Sequence, residues 1–138
     1  RMTTRDEIMT MDEDALRLTV AKACGYRMYA WKDEAYLTLP SRTGILPKGY
    51  NEVDALPAGN TAFFTRAPDY PRDLTAAYAL EDALPVELRG EYSNNLRRVI
   101  LQMNNEYCTQ FDLIHATAAD RCRAWLLTMD AKPYPVPN

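Results

Sequence analysis

The chain lacks the features that mark nucleic-acid-binding, membrane and secreted proteins. Its 19 acidic residues outnumber its 16 lysines and arginines, giving a formal net charge of −3, whereas dedicated nucleic-acid binders usually carry a basic excess. No apolar run approaches the roughly 20 residues that span a bilayer, and the sequence does not open on the apolar segment of a signal peptide. We therefore expect a cytoplasmic protein with no dedicated nucleic-acid binding and no membrane contact.

Cysteine and histidine are scarce, which argues against disulfides, metal sites and histidine-based catalysis. The three cysteines are Cys24, Cys108 and Cys122. Their odd number and wide spacing indicate neither a disulfide framework nor a zinc site, so we expect reduced thiols. His115 has no nucleophile beside it in the sequence, and the adjacent acids Glu81 and Asp82 would point to different sides of a solvated helix face. We predict no catalytic residues, no metal and no cofactor, and hence no enzyme.

What the sequence does contain is amphipathic helices with their own start and stop signals. The first predicted helix begins with a capping box from Thr10 to Glu13 and ends at Gly25. The second begins near Pro71, a favoured residue at the first helical position. Its predicted buried stripe consists of Leu74, Ala77, Tyr78 and Leu84. The 47% apolar content of the 138 residues is enough for one domain with a real core.

A third helix is predicted to begin at Thr117 and to bury one face in the core. The residues at the three-to-four spacing of such a face are Ala119, Cys122, Trp125, Leu126 and Met129. Cys24, near the end of the first helix, is expected to be buried like Cys122, because a free thiol behaves as a small core hydrophobe.

Five segments have the composition or alternation of β-strands. They are residues 26–32, 35–39, 62–66, 96–103 and about 106–114. Residues 32–34 would form a hairpin turn between the first two, and Asn104-Asn105 a tight turn between the last two. The resulting order, α-β-β-(β)-α-β-β-α, predicts an α+β fold with an antiparallel β-sheet sandwiched by helices.

The predicted organisation is one domain with a long loop. Residues 1–9 are expected to form a disordered extension, 10–130 a single α+β domain, and 131–138 a proline-rich tail. Within the domain, residues 40–61 contain three of the five glycines and three of the nine prolines. Long loops in compact domains are often functional, so we expect this loop to contact a partner.

Tyrosine and arginine supply the candidate binding residues. Both types are enriched at binding hot spots, and nine tyrosines are many for this length. Tyr50 in the long loop, Arg66, and Tyr70 and Arg72 at the start of the second helix are predicted to form the binding surface. A second group of arginines, Arg89, Arg97 and Arg98, is interpreted as solvated surface.

Three short motifs resemble the phage ABA-sandwich domain, a small family of phage and prophage proteins. They are Tyr70 with Asp73, Ala76-Ala77 and Tyr78; Cys122-Arg123-Ala124 with Leu126-Leu127; and Cys24-Gly25-Tyr26. The resemblance covers most of residues 10–130. It implies the sandwich fold, a phage origin and hence the bacterial host cytoplasm, but it brings no catalytic residues with it.

These observations favour a non-enzymatic phage accessory protein that binds a host factor, such as a counter-defence inhibitor acting on a host protein. An alternative is a nucleotide-binding module or signalling-nucleotide sponge, in which aromatic rings stack on a base and arginines hold phosphate. A third class is an enzyme using His115 or a carboxylate pair. A flat loop surface would favour a protein partner and a deep basic pocket a nucleotide. The oligomeric state is left open.

Overall fold

The computed structural model describes residues 3–46, 48–57, 59, 61–105 and 107–135, with only the backbone of Ile45. The predicted α+β class is confirmed. The α-helices are α1 Thr4–Thr10, α2 Glu13–Ala23, α3 Leu74–Asp82, α4 Arg89–Met103, α5 Gln110–Ile114 and α6 Ala118–Thr128. The strands are β1 Arg27–Trp31, β2 Glu34–Thr38, β3 Asn51–Val53 and β4 Ala62–Thr65. Short 3-10 helices lie at Pro40–Ile45 and Val86–Leu88.

The N-terminal segment is folded. Thr3 caps α1 by accepting a hydrogen bond from the Asp6 amide, while the Asp6 side chain accepts one from the Thr3 amide. Ile8 and Met9 are buried in the core. The predicted disordered extension over residues 1–9 is therefore wrong for residues 3–9; the first two residues lie outside the described part.

The cap of α2 lies two residues later than predicted, but its end is as expected. The Asp12 carboxylate accepts from the Ala15 amide at 2.8 Å, whereas the Thr10 hydroxyl donates to a carbonyl of α1, so the predicted capping box is wrong. Gly25 has φ 101°, and the following amide, of Tyr26, donates to Ala21 O at 3.0 Å. This left-handed termination at glycine is the stop that the sequence predicted.

The sheet has the order β3-β1-β2-β4 and is mixed rather than purely antiparallel. β1 and β2 form the predicted antiparallel hairpin, and β3 adds to β1 antiparallel. However, β4 pairs with β2 in parallel, which corrects the antiparallel prediction. The predicted long loop 40–61 supplies both a 3-10 helix and β3; its residues 47, 58 and 60 lie outside the described part.

Helices cover one face of the sheet. Met28, Ala35 and Leu37 project into the core that α1, α2, α4 and α6 also line. On the opposite face, Trp31 and Phe64 are 40% and 43% exposed. No α-helix of the described residues packs on this second face, here called the uncovered sheet face, so a two-layer arrangement replaces the expected helices on both faces.

The two strands predicted at 96–103 and 106–114 are wrong, because these segments are helical. α4 buries Tyr92, Leu96, Val99 and Ile100, which recur at the spacing of one helix face. The predicted turn at Asn104-Asn105 is present, but it joins α4 to α5. Residue 106 lies outside the described part.

The structure differs from the predicted helices in three further details. α3 begins after Asp73, whose carboxylate accepts from the Thr75 amide at 3.0 Å, so Pro71 precedes the helix. Leu74 and Tyr78 are 41% and 42% exposed rather than buried. Cys24 is exposed, contrary to expectation.

The third predicted helix, α6, is confirmed and packs against α1, α2, α3 and α4. Thr117 caps it through the Asp120 amide at 3.1 Å. Cys122, Trp125 and Leu126 are buried as predicted, whereas Met129 at the end of the helix is 41% exposed. Burial raises the pKa of the Cys122 thiol to about 12. This thiol therefore stays protonated at neutral pH.

An ion pair between buried Arg121 and partly buried Glu81 ties α6 to α3. Arg121 is 8% exposed, and its guanidinium donates to the Glu81 carboxylate at 2.8 Å and to Ala116 O at 3.0 Å. Tyr92 of α4 donates to the same carboxylate. The prediction that Glu81 lies on a solvated face is wrong. The arginine that pairs with it lies 40 residues later in the sequence, so no local pattern indicates the contact.

The tail packs back on the domain as far as it is described. Tyr134 is buried, and its amide donates to the Thr19 hydroxyl at 3.1 Å. Residues 136–138 of the predicted proline-rich tail lie outside the described part. Among the described residues, no helix is both long and apolar enough to cross a membrane.

Candidate functional site

The structure does not bring the four predicted binding residues together. Tyr70 is buried against Cys24 and Tyr26, and this burial raises its phenol pKa. Arg72 is exposed but engaged, with its guanidinium 2.8 Å from Asp14 and 3.3 Å from Asp69. Only Tyr50 and Arg66 lie beside the uncovered sheet face.

The uncovered face carries four aromatic rings in contact, here called the aromatic face. Tyr36 stacks on Phe64 with ring centroids 4.9 Å apart, since the parallel register places these residues side by side. Tyr50 meets Tyr36 edge-on at 5.2 Å and Trp31 at 6.0 Å. The loop after β2 thus adds a ring to those of the strands. Trp31, Tyr36, Tyr50 and Phe64 together form one apolar surface.

Charged groups border the aromatic face. Tyr50 donates a hydrogen bond to the Glu34 carboxylate, and this bond raises the pKa of the Tyr50 phenol. The Lys32 ammonium lies 4.3 Å from the Trp31 ring centroid, within the range of a cation–π contact. The face therefore combines an aromatic centre with a polar border, the pattern found in protein interfaces.

Gly49 lets the loop approach Trp31 closely. Its φ is +99°, and a Cβ built there would lie 3.0 Å from Trp31 Nε1. Glycine alone tolerates both this backbone conformation and this contact. The position of Tyr50, the next residue, depends on it.

We expect Gly49→Ala to lower the free energy of unfolding by about 1–2 kcal/mol, the usual cost of an unfavourable positive φ in an L-residue, and to change the fluorescence of Trp31. Gly25→Ala is the matched control, because Gly25 has φ +101° with no atom within 4 Å of the built Cβ. It should show the strain without the spectral change. Equal emission spectra for both folded variants would contradict the contact with Trp31.

A cavity of about 490 Å³ lies beside the aromatic face, at the carboxyl ends of β2 and β4. Its lining consists of Tyr26, Tyr36, Leu37, Thr38, Leu46, Phe63, Phe64, Thr65 and Arg66. Arg66 is the only charged residue among these nine. The cavity therefore offers aromatic surface and one cation.

The histidine considered as a catalytic base has only a backbone carbonyl as a hydrogen-bond partner in the described part of the chain. His115 lies at the end of α5, exposed, with its ring stacked on Phe111 and its Nδ1 3.0 Å from the Phe111 carbonyl oxygen. Within residues 3–135, excluding the gaps, no three His, Cys, Asp or Glu side chains are grouped to hold a metal. No protein-family model, curated protein or solved structure matches the chain.

Sequence reasoning missed Trp31, Tyr36 and Phe64 as members of the site. Period-two alternation in the first two strands does place Trp31 and Tyr36 on one sheet face. The position of Phe64 depends on the parallel pairing of β4 with β2, which no local signal specifies.

Proposed function

We propose that this protein is a non-enzymatic binding protein whose aromatic face contacts a protein partner. The observation that carries the proposal is the contact of four aromatic rings on a sheet face without helical cover. Exposed apolar patches with a polar border mark interaction sites in soluble proteins, and aromatic residues dominate their binding energy.

The biological setting is supported by the family resemblance of residues 10–130. It favours a phage accessory protein that binds a host factor in the bacterial cytoplasm, with inhibition of a host defence protein as one such role. The proposed contact surface contains fewer of the predicted binding residues than the sequence indicated. Tyr50 stays in it, whereas Tyr70 is buried and Arg72 is held by acids of α2.

The test is capture of a bacterial protein from host lysate on the immobilised chain, followed by titration of the captured protein. The double variant Trp31→Ala, Phe64→Ala is expected to weaken binding at least 30-fold, the effect of losing one interface hot spot of about 2 kcal/mol. Both side chains are substantially exposed, so the fold should persist.

The matched control is Tyr107→Ala, Phe111→Ala, which removes two aromatic side chains that are 65% and 66% exposed on another part of the surface. It should bind like the wild type. If the control loses affinity while the aromatic-face variant keeps it, the partner binds elsewhere and the proposal is wrong.

A second candidate, nucleotide binding, is favoured by the convergence of Tyr26, Tyr36 and Arg66 on the cavity. A nucleotide site of this type needs tyrosine and arginine side chains in one pocket, and this cavity has both. However, the cavity supplies one cation, whereas the several charges of a nucleoside polyphosphate call for a cluster. We therefore rank it below the protein partner.

A further inference from the structure

We infer that the cavity at the carboxyl ends of β2 and β4 binds a small organic acid, with an apolar or aromatic body and a single carboxylate. This inference is independent of the protein-partner proposal, although the cavity shares Tyr36 and Phe64 with the aromatic face. It rests on the size of the cavity, the chemistry of its wall and the hydrogen-bonding state of its polar groups.

The size and wall of the cavity fit a small molecule. Its volume of about 490 Å³ falls within the range of about 300–1,000 Å³ typical of small-molecule sites. Six of the nine lining residues are aromatic or aliphatic: Tyr26, Tyr36, Leu37, Leu46, Phe63 and Phe64. Such a wall binds an apolar body through area removed from water and through ring contacts.

Of the three arginine and threonine side chains in the wall, two are free to meet a ligand. Arg66 and Thr38 have no side-chain hydrogen bond or ion pair with any described residue. The third of these side chains, Thr65, is already engaged. Its hydroxyl donates to Leu37 O at 2.9 Å and accepts from the Ala67 amide at 3.0 Å. The cavity therefore presents one unpaired cation, on Arg66, and one unpaired hydroxyl, on Thr38, which can donate or accept.

The charge of the wall selects the ligand class. A guanidinium matches a carboxylate with two parallel hydrogen bonds, and Arg66 is the only ion among the described residues of the lining. One ligand negative charge is balanced, whereas further negative charges would meet no second cation. An aromatic or aliphatic monocarboxylate satisfies both the wall and Arg66.

The experiment compares two probes of nearly the same shape, 1-naphthaleneacetate and its neutral amide, 1-naphthaleneacetamide, in which an NH2 donor replaces one carboxylate oxygen. Each is titrated into the isotopically labelled protein and followed by amide chemical shifts. The carboxylate is expected to bind with a dissociation constant of about 1 mM, as its size suggests. The amide should bind about tenfold more weakly, because it lacks the charged hydrogen bonds.

Three variants make the result decisive. Arg66→Gln should abolish the tenfold preference for the carboxylate, whereas Arg42→Gln, an exposed arginine outside the lining, should keep it. Leu46→Trp, which fills the cavity, should weaken both probes. The inference is overturned if the preference survives in Arg66→Gln, if the shifts map away from β2 and β4, or if ATP binds more tightly than the naphthaleneacetate. None of these outcomes depends on whether a protein partner binds the aromatic face.

Discussion

Replacing Arg121 by methionine is expected to lower the free energy of unfolding by about 3–5 kcal/mol, the usual effect of removing one partner of a buried ion pair. The Arg121 and Glu81 side chains are 9% and 21% exposed. Methionine keeps much of the length of arginine but cannot donate. It leaves the Glu81 carboxylate with Tyr92 as its remaining partner and deprives Ile114 and Ala116 of a donor to their carbonyl oxygens. Urea denaturation measures the loss.

The matched control is Arg72→Met. Arg72 has three carboxylates within 3.8 Å, more than Arg121 has, but its side chain is 42% exposed. Exposed pairs usually contribute about 1 kcal/mol or less. If both variants lose the same free energy, burial is not what gives the Arg121 pair its effect.

A double variant separates the lost pair from the stranded charge. Adding Glu81→Gln to Arg121→Met removes the carboxylate that the single variant leaves without its cation. We expect this second change to restore part of the lost stability, because an uncompensated buried charge is the largest component of the cost. A further loss equal to that of Glu81→Gln alone would show that the two groups are not coupled.

The parts of the fold that the sequence predicted correctly are those with local signals. The hairpin of β1 and β2, the stop at Gly25 and the helix after Thr117 each depend on residues a few positions apart. Capping, glycine conformation and alternation act over such short distances.

The wrongly predicted strand at 96–103 shows a different cause. Val99 and Ile100 favour strands by composition, yet Leu96, Val99, Ile100 and Met103 recur at helical spacing, and Tyr92 extends the series one turn earlier. The period was the better guide than the composition, because burial of one helix face outweighs the weak propensity of β-branched residues.

The candidate site was predictable only in part, because its geometry is set by distant pairings. Tyr50 could be selected as a loop tyrosine, but its ring contacts depend on Gly49 approaching Trp31. No local pattern distinguishes Tyr70 from an exposed residue, because its burial depends on the distant segments that carry Cys24 and Cys122. Such contacts between remote segments leave no local pattern in one sequence.

Trp125→Ala is expected to cost about 3–5 kcal/mol, the usual range for removing a buried tryptophan. Trp125 is 6% exposed and lies on α6, which packs against four other helices, so the cavity left behind could not close without moving several elements. The same substitution at Trp31, which is 40% exposed, should cost about 1 kcal/mol or less. Urea denaturation of both variants, followed by circular dichroism because each lacks a tryptophan, gives the comparison. A loss at Trp31 as large as that at Trp125 would mean that the aromatic face stabilises the fold, and its exposed rings would then be explained without a partner.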